Sequence, residues 1–396
     1  MSSPLVNRRK FLQMGATGIG IFAAGGLVRN SQAASSASSA PFYKLKDIGP
    51  LQSPDENGFM LPSGFSCRVV ARSGEVPVGT SGYIWHSSPD GGACFPTTDG
   101  GWVYVSNSEL GRREGGVGAL RFDSRGEIVD AYSILENTSV NCAGGATPWG
   151  TWLSAEEFER GQIYECDPMG NDPAIVQPAL GTFKHEAAAI DMDNDCVYLT
   201  EDQPNGGFYR FVATTGLPNL SVGRLEIAAV IEKDGLQEVN WLRVPDPLAR
   251  YAPTRNQVLG YTPFRGGEGI VFHEGHIYFA TKRDNRVWSY DTGSKKIEII
   301  YDARTSHNPI LTGVDNVDIT AGGDVLVAED GGDMQLVAIT PEGELFPLFK
   351  IIGHDRSEVC GQAFDPSYQR LYFSSQRGIT GSRVTGGITY EVMYTG

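Results

Sequence analysis

The chain is short of positive charge, shows no sustained helical period outside its N-terminus, and has no closely spaced cysteine pair. Lys and Arg number 32 against 47 Asp and Glu. Nucleic-acid binding calls for a basic footprint, so this balance argues against it. It fits a surface that captures hard cations such as Ca²⁺ through carboxylates. The six cysteines, Cys67, Cys94, Cys142, Cys166, Cys196 and Cys360, include no C-x-x-C, which weakens any zinc-ribbon reading. Most read as small buried hydrophobes, and any pairing is left open. The apolar run from Met14 to Val28 is rich in Gly and Ala, too short and too soft to span a bilayer. No stable membrane insertion is expected.

That run follows Asn7-Arg8-Arg9-Lys10-Phe11-Leu12 and precedes Ser31-Gln32-Ala33, a small-residue cleavage site. Residues 1–33 therefore read as a Tat export signal, with the Tat translocon as partner and the periplasm or exterior as destination. Tat carries folded proteins, which suits a metal loaded before export. Residues 34–62 begin rich in Ser and Ala and continue with Pro and charge, and are expected to lie extended or disordered. Residues 63–396 form the domain. Its 50 glycines and only 20% charged residues suit many tight turns.

A frame recurs along that domain. It is clearest in Asn141-Cys-Ala-Gly-Gly-Ala-Thr-Pro-Trp-Gly-Thr-Trp-Leu-Ser-Ala-Glu-Glu157: a short strand, a turn, a second strand, then acids. Counting about ten residues back from each second strand gives units starting near 93, 141, 185, 267, 315 and 361. Such spacing predicts an all-β fold, a six-bladed β-propeller of four-stranded blades. Gly64–Arg72 and Gly387–Tyr394 are the candidates for closing the ring, since an open edge would otherwise remain.

Stacked on this frame, the first strands offer Cys94, Cys142, Glu186, Glu268, Asn316 and Gln362, with Asn141, His185 and Asp315 beside them. The second-strand ends add Glu109, Glu156, Glu157, Glu201, Asp202, Lys282, Glu329 and Asp330. In a propeller these positions meet at one end of the central channel. Converging carboxylates repel unless cations sit among them. Carboxylates and amide oxygens suit Ca²⁺, whereas the Cys142 thiolate suits a transition metal. Lys282 is either a counter-ion or a clamp on an anionic substrate, and Arg377 is a second candidate of that kind. Trp149 and Trp152 read as core.

The Tat signal, the 141–157 stretch, Lys-His-Glu-Ala at 184–187 and Tyr-Leu-Thr-Glu-Asp at 198–202 resemble the PhoX family of secreted bacterial alkaline phosphatases, of which this would be a short member. The resemblance implies iron, as Fe³⁺, and several Ca²⁺ ions in the channel. It carries the iron-ligating thiol to Cys142, and metal-binding roles to Glu156, Glu157, Glu186, Glu201, Asp202, Glu268 and Glu329. Asp315, Asn316 and Asp330 join them from the frame. Small phosphorylated substrates are the implied partners, with Lys282 and Arg377 at the phosphoryl group. Two rival readings stand beside it: a calcium-dependent lactonase using Glu186, Glu268 and Asn316, and a non-catalytic propeller whose Ca²⁺ is structural.

Overall fold

A computed structural model describes residues 41–396 apart from positions 44, 46, 47 and 332. The export signal and residues 34–40 therefore lie outside the described residues. The chain folds as a six-bladed β-propeller. The inner strands are Pro89–Pro96 in blade 1, Asn141–Ala146 in blade 2 and His185–Asp191 in blade 3. Gly267–His273, Val314–Ile319 and Val359–Phe364 serve blades 4, 5 and 6. Each blade is an antiparallel sheet of four or five strands, ordered outward from the channel.

The ring closes in blade 6, where Phe65–Arg72 from the start of the chain pairs with Ile388–Tyr394 from its end, Phe65 opposite Tyr394. Both termini thus share one sheet, and no strand edge is left to open the ring.

Blades have both faces covered, which sets the sequence pattern. Trp102–Ser108, Val325–Glu329 and Gln335–Ile339 are buried at every position, so they read as continuous runs without alternation. Outer strands such as Ile128–Thr138 mix buried and exposed positions because one face meets water. No blade has a core of its own. Among the described residues six apolar clusters each join neighbouring blades, from Tyr104 and Tyr372 between blades 1 and 6 to Leu326 and Phe373 between blades 5 and 6. Aromatic pairs stack across these seams, Phe208 on Phe279 at 4.5 Å and Phe349 on Phe373 at 4.2 Å. Trp152 is core, 3% exposed, and Trp149 packs against the cluster between blades 2 and 3.

The segment before the first blade is more than an extended cover. Phe42 and Leu45 are fully buried under blades 5 and 6, and Phe59–Met60 adds a fifth strand to blade 5. Four apolar residues, Phe42, Leu45, Phe59 and Leu61, need a dry surface, and the blade 5–6 seam supplies it. All six cysteines are free thiols.

One irregularity repeats in every blade. The pairing of first and second strands slips between residues 89 and 92, 141 and 144, 185 and 188, 267 and 270, 314 and 317, and 360 and 363. Each slip is a β-bulge, which bends the strand and re-aims its side chains. Six strands then crowd one axis, so the residues just past the bulge are small. A Cβ on Gly269 would lie 2.1 Å from the Val317 nitrogen, and one on Gly91 2.5 Å from the Ala143 Cα.

Candidate functional site

The bulge sets the true equivalence between blades. Asp90, Cys142, Glu186, Glu268 and Asp315 each follow the residue where the slip begins. Across from them, Glu109, Glu157, Asp202, Lys282 and Asp330 directly follow the second strands. Together with Glu358, just ahead of the blade 6 inner strand, these residues form one mouth of the channel. Nine carboxyl groups meet there: Asp90, Glu109, Glu157, Glu186, Asp202, Glu268, Asp315, Asp330 and Glu358.

All of them but Asp202 fall into overlapping groups whose ligand atoms lie within 4.8 Å of one another. Cys142, Glu157 and Glu186 make one group, and Glu186, Glu268 and Asp315 a second. Asp90, Glu109 and Glu358 make a third, and Asp315, Asp330 and Glu358 a fourth. The Cys142 Sγ sits 3.4 Å from Glu186 Oε1 and 3.7 Å from Asp90 Oδ2. Gln376 ties two members of the third group, its Nε2 donating to Asp90 at 2.6 Å and Glu109 at 3.0 Å.

The cations present are few and shared. Lys184 Nζ bridges Glu157 at 2.8 Å and Asp202 at 2.6 Å. Lys282 Nζ lies 3.0 Å from Asp330, 3.2 Å from Asp315 and 3.5 Å from Glu268. Arg377 Nη2 meets Glu358 at 2.9 Å, and Arg383 reaches Glu109 at 3.7 Å. Burial dominates the electrostatics. It lifts Glu186 far above the usual carboxylate range, and Glu268, Glu157, Asp315 and Asp90 add to it. Asp90 and Glu358 rise for the same reason, burial first and like charge second. Glu157 is pushed up to about 8 by burial, against the pull of Lys184. Burial and the surrounding carboxylates also raise the Cys142 thiol.

This donor set fits bound cations. Glu186 Oε2 is buried with no hydrogen-bond partner, a costly state for a carboxylate oxygen unless something positive faces it, and Glu268 Oε1 has only the Lys282 ammonium, 3.5 Å away. Carboxylates at this density match oxygen-seeking Ca²⁺, and the one thiol among them matches a transition metal. His185 takes no part: it is buried, its Nε2 pairs with the Gly181 carbonyl, and burial lowers its pKa to about 3.

Four acidic sequence candidates lie outside these groups: Asp202, held at the mouth by Lys184, and Glu156, Glu201 and Glu329. Neighbours on a strand point to opposite faces, so Glu157, Asp202 and Asp330 reach the mouth while Glu156, Glu201 and Glu329 turn into the blades. Glu156 accepts from the Ser139 and Gln162 backbone N–H groups. Glu201 accepts from Gly207 N–H and the Tyr209 hydroxyl and pairs with Arg255. Glu329 accepts from the Thr312 and Gly313 N–H groups and from Gln335. Asn316 is also diverted, its Oδ1 accepting from Gly361 N–H at 3.0 Å to tie blades 5 and 6.

The frame also missed residues. Gly92 pairs with Ser106 where Gly144 pairs with Ser154, so the blade 1 hairpin is four residues longer than that of blade 2. A fixed spacing of ten lands on Cys94 and passes over Asp90. The usable signal was a ligand followed by a small residue, as in Asp90-Gly91, Cys142-Ala143, Glu186-Ala187 and Glu268-Gly269. Glu358 stands outside the repeat, and Gln376, which follows the blade 6 second strand as Glu109 follows that of blade 1, carried no such signal.

The family of alkaline phosphatase PhoX matches residues 91–169 and 159–299, more than half of the chain and most of the mouth. The chain belongs to the PhoX family. PhoX of Pseudomonas fluorescens, solved with vanadate as a transition-state analogue, superposes with a TM-score of 0.71 at 16% identity, covering 88% of this chain and 98% of that one. A protein of unknown function from Bacteroides thetaiotaomicron superposes with a TM-score of 0.52 at 8% identity, covering 87% and 84%. At these identities the likeness is one of fold. No curated protein matches the chain. Family and fold make this a phosphatase propeller. Among the described residues no helix is long and apolar enough to cross a membrane.

Proposed function

We propose that the mouth hydrolyses phosphate monoesters, in an enzyme exported by the Tat signal at residues 1–33 to the periplasm or beyond. The observation that carries this reading is the meeting of nine carboxyls with the Cys142 thiol, two buried carboxylate oxygens lacking a hydrogen-bond partner, and two cations at the edge of the cluster. Cys142 with Glu157 and Glu186 would hold iron as Fe³⁺. The three all-carboxylate groups would hold Ca²⁺. Bound there, such cations supply Lewis-acid stabilisation of phosphoryl oxygens and of the leaving alkoxide, the class of help that very slow phosphate-ester hydrolysis needs.

The chain's own groups do the rest. Lys282 is partly exposed at the rim, with its ammonium held over Asp315 and Asp330, so it can donate to a phosphoryl oxygen without leaving its partners. Arg377 faces the same space, anchored through Glu358, with its backbone N–H fixed by the Ser357 hydroxyl at 2.8 Å. Lys184 and Gln376 orient Glu157, Asp202, Asp90 and Glu109 and keep their spacing. A lactonase-type site, using a few oxygen ligands on one Ca²⁺, leaves Cys142 and most of the carboxyls without a role.

Turnover of p-nitrophenyl phosphate by full-length protein reconstituted with Fe³⁺ and Ca²⁺ tests the proposal. Turnover that disappears with chelator and returns with both metals is expected. Absence of turnover in protein shown to contain both metals sinks it.

A further inference from the structure

The acidic mouth fills only one end of the channel. Beyond the bulges the inner strands run on to the opposite face and enclose a second cavity of about 410 Å³. That size is within the usual range for small-molecule sites. Gly and Ala wall its near end, and Phe272, Phe364 and Tyr368 line its far end. Polar groups break this surface at Cys94, Asn316, Asp318, Gln362 and Tyr368, and two of them are short of partners. Asp318 lines the cavity and is partly accessible to it. Its carboxylate has only the neighbouring Ile319 N–H as a hydrogen-bond donor, and among the described residues no Lys, Arg or His pairs with it. Gln362, 5% exposed, lines the same cavity, and its Oε1 is buried with no partner.

We propose that this rear cavity binds a small organic cation, an ammonium group carried on an aromatic or aliphatic body. The chemistry is complementary on each count. A lone carboxylate in a narrow apolar-walled space is costly until a positive donor meets it. The aromatic rings offer faces to a cation and apolar contact to its body. A Ca²⁺ ion is a poorer fit, since it seeks several oxygen ligands and the cavity supplies one carboxylate. Asp318 lies past Asp315 on the far side of the bulge, so this site is separate from the phosphatase mouth and does not depend on its chemistry.

The test uses the full chain saturated with Ca²⁺, so that the mouth carboxylates are occupied. Benzylammonium and the neutral benzyl alcohol are titrated in parallel by calorimetry and by ligand-observed NMR. Saturable binding of the ammonium, at least about tenfold tighter than the alcohol, is expected for a charge-assisted hydrogen bond. Asp318→Asn should abolish that preference. Ala189→Leu, which fills the cavity wall, should remove binding of both, with circular dichroism confirming that each variant is folded. Equal binding of ammonium and alcohol, preference retained in Asp318→Asn, or no saturable binding at millimolar amine would each overturn the proposal.

Discussion

Glu156 and Glu157 are adjacent in sequence and opposite in role. The Glu156 carboxylate accepts the Ser139 and Gln162 backbone N–H groups inside blade 2. The Glu157 carboxylate lies 2.8 Å from Lys184 Nζ and within the Cys142 group at the mouth. Glu156→Gln should therefore lower stability by about 1–3 kcal/mol, the usual cost of disturbing a buried acceptor, with metal content unchanged. Glu157→Gln should do the reverse, sparing the unfolding midpoint of the metal-free protein and reducing bound metal. Denaturant titration paired with elemental analysis reads both.

Asp90 and Cys94 make a second contrast. Asp90→Asn should reduce bound Ca²⁺ and phosphatase activity, because its carboxylate joins Glu109 and Glu358 in one group. Cys94→Ala should leave both unchanged, since Cys94 pairs opposite Tyr104 in the lower channel, away from the mouth. Equal losses from the two would mean that the bulge-based equivalence is wrong.

The metal-free protein should be sensitive to alkali in a defined direction. Glu157 is a carboxyl raised from 4.5 to about 8 by burial, and Glu186, Asp90 and Glu358 are raised with it. Above pH 4.5 the unfolded chain releases these protons while the folded chain keeps them. Stability then falls as pH rises from about 4.5 towards 8, the slope following the excess protons on the folded state. Ca²⁺ should flatten that slope by taking the protons' place, and it should raise the unfolding midpoint in proportion to the logarithm of its concentration. Thermal unfolding across this pH range, with chelator and with Ca²⁺, gives the comparison. A metal-free protein that gains stability over that window would contradict the account.

Lys282→Met should cut kcat/KM by about 10²–10³, the range for losing one donor to transition-state charge, and should weaken inhibition by phosphate. Iron content should hold, because Lys282 touches Glu268, Asp315 and Asp330 but not the Cys142 group. A merely structural lysine would show a lowered midpoint with phosphate inhibition unchanged.

The sequence made the ring legible because each blade repeats the same hairpins, and turn residues punctuate them at nearly even spacing. Cys142, Glu157, Glu186, Asp202, Glu268, Asp315 and Asp330 could be found because they hold equivalent places in that repeat. What stayed hidden depended on details that a fixed count does not carry. The longer blade 1 hairpin displaced Asp90 by four positions. Strand alternation, read without its register, could not separate Glu157 from Glu156 or Asp330 from Glu329. Glu358 comes from the bridge opposite Asp330, a contact between blades that no local pattern records.

The most direct test is the number of Fe and Ca atoms per chain in metal-replete protein, compared with Cys142→Ser. Iron together with calcium is expected in the wild-type chain. In the variant iron should be lost and calcium retained, since three of the four ligand groups contain no sulfur. A wild-type chain that carries no iron, or a variant that keeps it, would contradict the account.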